Sequence, residues 1–405
     1  MSTRPLRISV ATLLVFSCLF SIASGEERPP AVKSVVPGNT AFALDLYSKL
    51  KQEKGNLFFS PYSVSSALAL MFEGARGDTS AEMAKTLRFS AGEGEVAPAF
   101  GLLNKTFEEI QKKGEVQLNV ANSLWPQKGH PFLTRYLKSA KKYFGVSVSP
   151  LDYQHKSGEA SRTINAWIED KTKGKIRDVI RQGDLDAATR LVLVNAIYFK
   201  GKWASQFNPK LTTKADFSLL DGGKTPVSMM NQTGKFRYAE IEGSQALELP
   251  YVGKDLSMVI ILPSDVGNFG DFEKRVTGSN LDAWISQLHQ AEVSVALPKF
   301  KGTWGVKDLV KPLQELGMRT PFSARADFSG MDGTRTLFIS LLRHKAFLDI
   351  NEEGTEAAAA TVGAITMSAL PIVKTFRADH PFLFVIRENT TGSILILGRI
   401  VEPNG

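Results

Sequence analysis

The residues Leu191-Val192-Leu193-Val194-Asn195-Ala196-Ile197-Tyr198-Phe199 form an almost unbroken apolar run of strand-forming side chains. Such a run offers no polar face to water, so it predicts a strand buried on both sides, near the middle of a sheet. The rest of the chain must therefore supply cover above and below it. With 405 residues, 43% hydrophobic and 22% charged, there is enough apolar material for a large core.

Upstream of the run the pattern is helical. From Asn39, the residues Phe42, Ala43, Leu46, Tyr47 and Leu50 recur at helical spacing. Ser60-Pro61 then opens a second helix, with Val64, Ala67, Leu68, Met71 and Phe72 inward and Gly74 as its stop. Thr79 with Glu82 reads as a capping box for a helix through Leu87, and similar patterns continue through Ile110 and Phe144 and from Ile164 to Ile180. Downstream, strands are predicted at 247–249, 257–262, 293–297 and 346–350. A final pair at 382–386 and 393–397 flanks a turn containing Asn389 and Gly392. Helices followed by strands, with no repeat or low-complexity linker, predict one α+β domain over 39–405.

Ahead of that domain, Arg4 and Arg7 precede an apolar run from Ile8 to Ile22 that ends in Ala23, Ser24 and Gly25. Residues 1–25 read as a secretory signal peptide, cleaved after Gly25, and 26–38 as a flexible leader with two adjacent prolines. The expected location is outside the cytoplasm, extracellular or periplasmic, with no membrane attachment once the signal is removed. Cys18 is the only cysteine and falls inside the signal, so the exported chain has no disulfides to rely on. Its charge is then 47 basic against 41 acidic residues, a net +6. Lys112, Lys113, Lys138, Lys141 and Lys142 would form a polyanion-binding face, although such runs on helices are usually solvated surface. Asn104, Asn231 and Asn389 stand in Asn-x-Ser/Thr acceptor sites that matter only in a eukaryotic secretory pathway.

Enzyme signatures are missing. There is no HExxH or GxSxG, and no cysteine for a nucleophile or a zinc site in the exported chain. Gly223-Lys224-Thr225 resembles the end of a phosphate loop, but Ser218 stands where the first glycine belongs. His130, His155, His289, His344 and His380 lack metal-ligand spacing. No metal, cofactor or nucleic-acid partner is expected.

The segment from Asn351 to Pro371 is the most unusual. By local propensity, Ala357 to Ala360 spell a helix, and the bland reading is an alanine-rich surface helix or a floppy connector. At period two, however, Thr355, Ala357, Ala359, Thr361, Gly363 and Ile365 are all small or apolar and uncharged, and Glu356 falls on the other face. As a strand, the segment would bury one whole face without burying a charge, which otherwise costs several kcal/mol. Gly354 supplies the backbone freedom of a hinge.

These residues, with Asn56-Leu57-Phe58-Phe59-Ser60-Pro61-Tyr62-Ser63, Asn195 through Trp203 and Phe376 through Phe384, closely resemble the serpin family over nearly the whole exported chain. The resemblance implies three β-sheets with eight or nine helices, and a reactive-centre loop at about 352–375 above a main five-stranded sheet. It also implies an inhibitor, not an enzyme. A target serine protease would attack the loop, form an acyl ester and be trapped covalently as the cut loop enters the sheet. Strand insertion of this kind is an established serpin mode and is taken from the family. Carried over by motif, Gly354, Thr355, Glu356, Ala357, Ala358, Ala359, Ala360 and Thr361 resemble the hinge. Ser60, Ser63, Asn195 and His344 resemble the polar cluster gating the sheet, and Trp203 resembles the aromatic residue where the loop enters. A monomer is expected.

Family spacing from Gly354 gives Ser368-Ala369 as the bond cut, whereas pocket chemistry prefers Met367-Ser368. Neither bond offers a basic residue, and the first one downstream is Lys374, so elastase-, chymotrypsin- or subtilisin-like targets fit better than trypsin-like ones. The alternatives are a non-inhibitory carrier, chaperone or storage protein of the same fold, against which the uncharged hinge argues, and an inhibitor of cysteine proteases.

Overall fold

A computed structural model describes residues 30–90, 94–114, 116–146, 148–353 and 372–404. The expected signal peptide with Cys18, the expected hinge from Gly354 to Thr361 and both candidate bonds lie outside the described residues. The class is α+β. Among the described residues are ten α-helices, against eight or nine expected; Phe269–Lys274, Val310–Glu315 and Ser329–Asp332 are six residues or shorter. The strands form two hydrogen-bonded sheets of nine and four strands. Two of the three expected sheets merge because the 18-residue strand Lys224–Ile241 pairs with Thr213–Ser218, Ser244–Pro250 and His289–Pro298 in turn.

The four-stranded sheet runs in the order Val116–Pro126, Leu191–Gly201, Leu341–Ile350, Phe300–Asp308. A fifth strand was expected; beyond Val116–Pro126, among the described residues, there are only isolated parallel bridges, Leu124 to Val148 and Gln127 to Leu151. The apolar run is central and covered on both faces, which explains why it does not alternate. Leu191, Leu193, Ile197 and Phe199 join the large core beneath the sheet. Val192, Val194, Ala196 and Tyr198 join a second core under the helix Tyr153–Lys171 and the segment that follows it.

Three expectations need correction. Residues 30–38, expected in the flexible leader, belong to one helix, Pro30–Leu50, that buries Val32, Val35 and Val36 in the main core. Thr79 and Glu82 do not cap the helix Gly77–Thr86, since both reach outward. The Thr79 hydroxyl accepts from the Asp327 amide, and the Glu82 carboxylate accepts from the Arg319 and Thr320 amides and the Thr320 hydroxyl. Finally, Val116–Pro126 is a strand in the region read as helical. Its sequence signal was Val116, Leu118 and Val120 at period two.

Ser60 is delivered by the short strand Leu57–Phe59, which pairs with Ile394–Ile400. The two backbones approach so closely that a Cβ on Gly398 would stand 2.6 Å from the Leu57 carbonyl oxygen and 2.5 Å from the Phe58 Cβ. Backbone cannot yield there as a long side chain would. Gly398→Ala is therefore expected to cost about 1–3 kcal/mol of stability, read as a lower midpoint in urea.

Candidate functional site

Within the four-stranded sheet, the only parallel ladder among the described strands joins Leu191–Gly201 to Leu341–Ile350, from Val192 opposite Leu341 to Phe199 opposite Leu348. Parallel pairing is slightly weaker per residue than antiparallel. A segment that left Ile350 and turned back between the two strands would run antiparallel to both. One parallel ladder would become two antiparallel ones. No other junction in this sheet offers that exchange, because Val116–Pro126 and Phe300–Asp308 are already antiparallel to their neighbours.

A row of polar residues crosses the seam in register, Asn122 opposite Asn195 and Asn195 opposite His344. The row lies beneath the start of the helix Pro61–Phe72, where Ser60 is the N-cap and Pro61 the first helical residue, as the Ser60-Pro61 pair predicts. The Ser63 amide donates to Ser60 Oγ at 3.1 Å, and the Ser60 amide donates to His344 Nε2 at 3.2 Å. Since Nε2 accepts, the imidazole proton belongs on Nδ1, which donates to Asn195 Oδ1. The Asn195 amide nitrogen donates in turn to Ser63 Oγ and Asn122 Oδ1. Ser60, Ser63, Asn195 and His344 are fully buried. The structure thus brings these four sequence-predicted residues together, and adds Asn122, which the sequence reading missed.

Burial, with a small opposing effect from Asn195, pushes the His344 imidazole down to about 3. It is neutral at physiological pH, and the network buries no charge. Separating the two seam strands would break the His344 to Asn195 bond directly.

Trp203 belongs to a second location. From Asn195 it is eight residues along the chain, about 26 Å at ~3.3 Å per residue of strand. Its ring is buried and stacks on Tyr251 at 4.6 Å between centroids, with planes 12° apart. Gly201 permits this, since a Cβ there would stand 2.7 Å from the Tyr251 ring. The Trp203 indole N–H donates to the Asn351 carbonyl at 3.0 Å, and the Phe207 amide donates to the Glu352 carbonyl at 3.0 Å. Burial alone would raise the Glu352 carboxyl, but Lys299 Nζ at 2.7 Å and the Thr212 hydroxyl at 2.8 Å hold it below its ordinary range. The stem of the expected loop is therefore anchored on both backbone and side chain, two residues before Gly354. Lys299 and Thr212 carried no sequence signal, because their partner is distant in the chain.

On the far side of the loop, Ile372 is 85% exposed and Val373 47%. The chain re-enters the large sheet at Lys374–Arg377, parallel to His289–Pro298, and buries Phe376. The remaining histidines lie apart: His130 near Asp332, His155 on Asp152, His380 between Asp379 and the Pro263 carbonyl, and His289 exposed. Among the described residues, no group of three or more His, Cys, Asp or Glu could hold a metal ion. Of the five lysines, Lys113 is engaged by Asp255 at 2.7 Å, and Lys142 lies 4.6 Å over the Tyr143 ring. Side-chain amides of all three acceptor asparagines donate to backbone carbonyls, of Tyr143 for Asn104, Leu211 for Asn231 and Lys254 for Asn389.

The buried imidazole has a pH consequence. The unfolded chain binds a proton at His344 near pH 6.5, whereas the folded chain does so only near pH 3. Stability from this group is full above about pH 6.5 and is lost as pH falls, by up to about 1.4 kcal/mol per pH unit. Between pH 7.5 and 5, the native chain should lose about 2 kcal/mol more than His344→Gln, measured by urea denaturation at each pH. Equal losses would mean that the imidazole is not held neutral.

Comparisons with known proteins agree on one family. The family model described as serpin, serine protease inhibitor, matches residues 37–403. The human leukocyte elastase inhibitor is 45% identical over 377 residues, covering 90% of this chain and 98% of that protein. The rat leukocyte elastase inhibitor A is 42% identical over 380 residues, with the same coverages. Among solved structures, maspin superposes with a TM-score of 0.85 at 30% identity, covering 93% of this chain and 100% of that one. Uncleaved ovalbumin superposes at 0.81 with 29% identity, covering 91% and 100%. The chain belongs to the serpin family of protease inhibitors.

Proposed function

We infer that this chain is a secreted suicide-substrate inhibitor of serine endopeptidases with elastase-, chymotrypsin- or subtilisin-like pockets. The observation that carries the reading is the parallel seam, with the loop stem leaving its upper end at Asn351 to Glu353. The target's serine attacks the carbonyl of the scissile bond, at Ser368-Ala369 or Met367-Ser368. An acyl ester forms, and the hydroxyl proton passes to the leaving amine. Hydrolysis of that ester would free the protease. Before it does, the released stem enters between Leu191–Gly201 and Leu341–Ile350 and carries the protease with it.

About a dozen new backbone hydrogen bonds at ~0.5–1.5 kcal/mol each supply on the order of 10 kcal/mol for this rearrangement. The uncharged face from Thr355 to Ile365 lets it proceed without burying an ion. The chemistry is the protease's own; this chain contributes a substrate and a trap, and acts as a monomer on one protease at a time. Two features support an elastase-like target: the lack of a basic residue between Gly354 and Lys374, and the relatives that carry the name leukocyte elastase inhibitor. Secretion is supported by the apolar run from Ile8 to Ile22 behind two arginines.

The test is incubation of the purified chain with elastase, chymotrypsin and subtilisin, followed by a denaturing gel and mass spectrometry of the released peptide. A protease-sized covalent adduct and a peptide beginning at Ala369 or Ser368 are expected. Cleavage without an adduct for every protease would overturn inhibition in favour of a carrier or chaperone of the same fold.

A further inference from the structure

The outer face of the seam is bridged as well as the inner one. Residues 172–190 run directly into Leu191 and so are tied by the chain itself to the strand Leu191–Gly201. Along the way they reach across to the other strand. The Asp184 carboxylate meets Arg343 Nη2 at 2.6 Å, with side chains 15% and 13% exposed, and Lys345 Nζ donates to the Arg177 carbonyl at 2.6 Å. Arg343 pairs in register with Val194, one residue from His344, and successive strand residues face opposite ways. Arg343 and His344 therefore tie the same level of the seam on its two faces. Asp308, 3.7 Å from Arg343 Nη1, lies on the neighbouring strand that moves with Leu341–Ile350, and Arg343 Nε is buried without a partner. Asp184 is thus the near carboxylate held from across the seam.

Inserting one strand moves the two seam strands from about 4.8 Å to about 9.6 Å apart. A 2.6 Å ion pair cannot stretch by that amount, so it breaks or drags the 172–190 segment across the sheet. We propose that the Asp184–Arg343 pair is a clasp whose release sets the rate of loop insertion. Insertion competes with hydrolysis of the acyl ester, so the clasp sets the fraction of protease trapped and not released. The two act as positioning residues, through the separation of the seam strands. The proposal rests on the insertion reading above.

The experiment offers the intact chain a synthetic peptide with the sequence of residues 355–366, which is expected to enter the seam without any protease. Uptake is followed by native-gel mobility and by the gain in thermal stability. Asp184→Asn should take up peptide roughly tenfold faster than the native chain. The swap Asp184→Arg with Arg343→Asp should return the rate toward native. Raising salt from about 0.05 M to about 1 M should accelerate the native chain and leave Asp184→Asn unchanged. Uptake by Asp184→Asn at the native rate, even with a lowered unfolding midpoint, would overturn the clasp alone and assign the pair to packing. A native chain that takes up no peptide would overturn the insertion reading itself. Should the swap fail to fold, the asparagine variant and the salt series still decide.

Discussion

Two long buried strands, Leu191–Gly201 and Leu341–Ile350, lie side by side in parallel although Asn195 and His344 are 149 positions apart in the chain. A parallel ladder between such remote segments has no turn to set its register, so side chains must do so. The side chains are placed accordingly. Leu191, Leu193, Ile197 and Phe199 fill the large core, Val192, Val194, Ala196 and Tyr198 fill the second, and the one polar member of the run, Asn195, bonds His344 across the junction. Cover on both faces, the N-cap at Ser60 and the anchored stem at Glu352 are all arranged around this pairing.

The two faces hold the seam by different physics. On the inner face every group is neutral: burial keeps the His344 imidazole unprotonated, and Ser60, Ser63, Asn122 and Asn195 satisfy one another. A buried network of this kind specifies one register without the desolvation penalty of ions. The outer face uses an ion pair at the margin of water, Asp184 with Arg343, where some solvation survives. Under the proposed insertion, the junction needs contacts that hold the closed form yet can be exchanged, and polar contacts meet both needs better than deeper apolar interdigitation.

Some of this architecture was legible in advance. The continuous run at 191–199, the Ser60-Pro61 helix start and the closing pair Phe382–Glu388 and Ile394–Ile400 obey local rules of burial, capping and turn chemistry. Local rules misled where a side chain bonds a remote segment. Thr79 and Glu82 have capping-box spacing, but Asp327 and Thr320 claim them. The residues after Pro29 look like a leader, but Val32, Val35 and Val36 find the main core. Asn122 looked like any polar residue until Val116–Pro126 placed it opposite Asn195.

The sequence by itself determined the family, the central strand and an uncharged face from Thr355 to Ile365 suited to burial, because each depends on residue type and spacing within one short window. Only the tertiary structure decided that Ser60, Ser63, Asn195 and His344 meet in one network, that Trp203 and Lys299 hold the stem at Asn351 and Glu352, and that Asp184 reaches Arg343 over the seam. Those contacts join segments far apart in the chain. Their energies depend on burial and on angles within a few ångströms, and neither quantity exists until the sheet has closed.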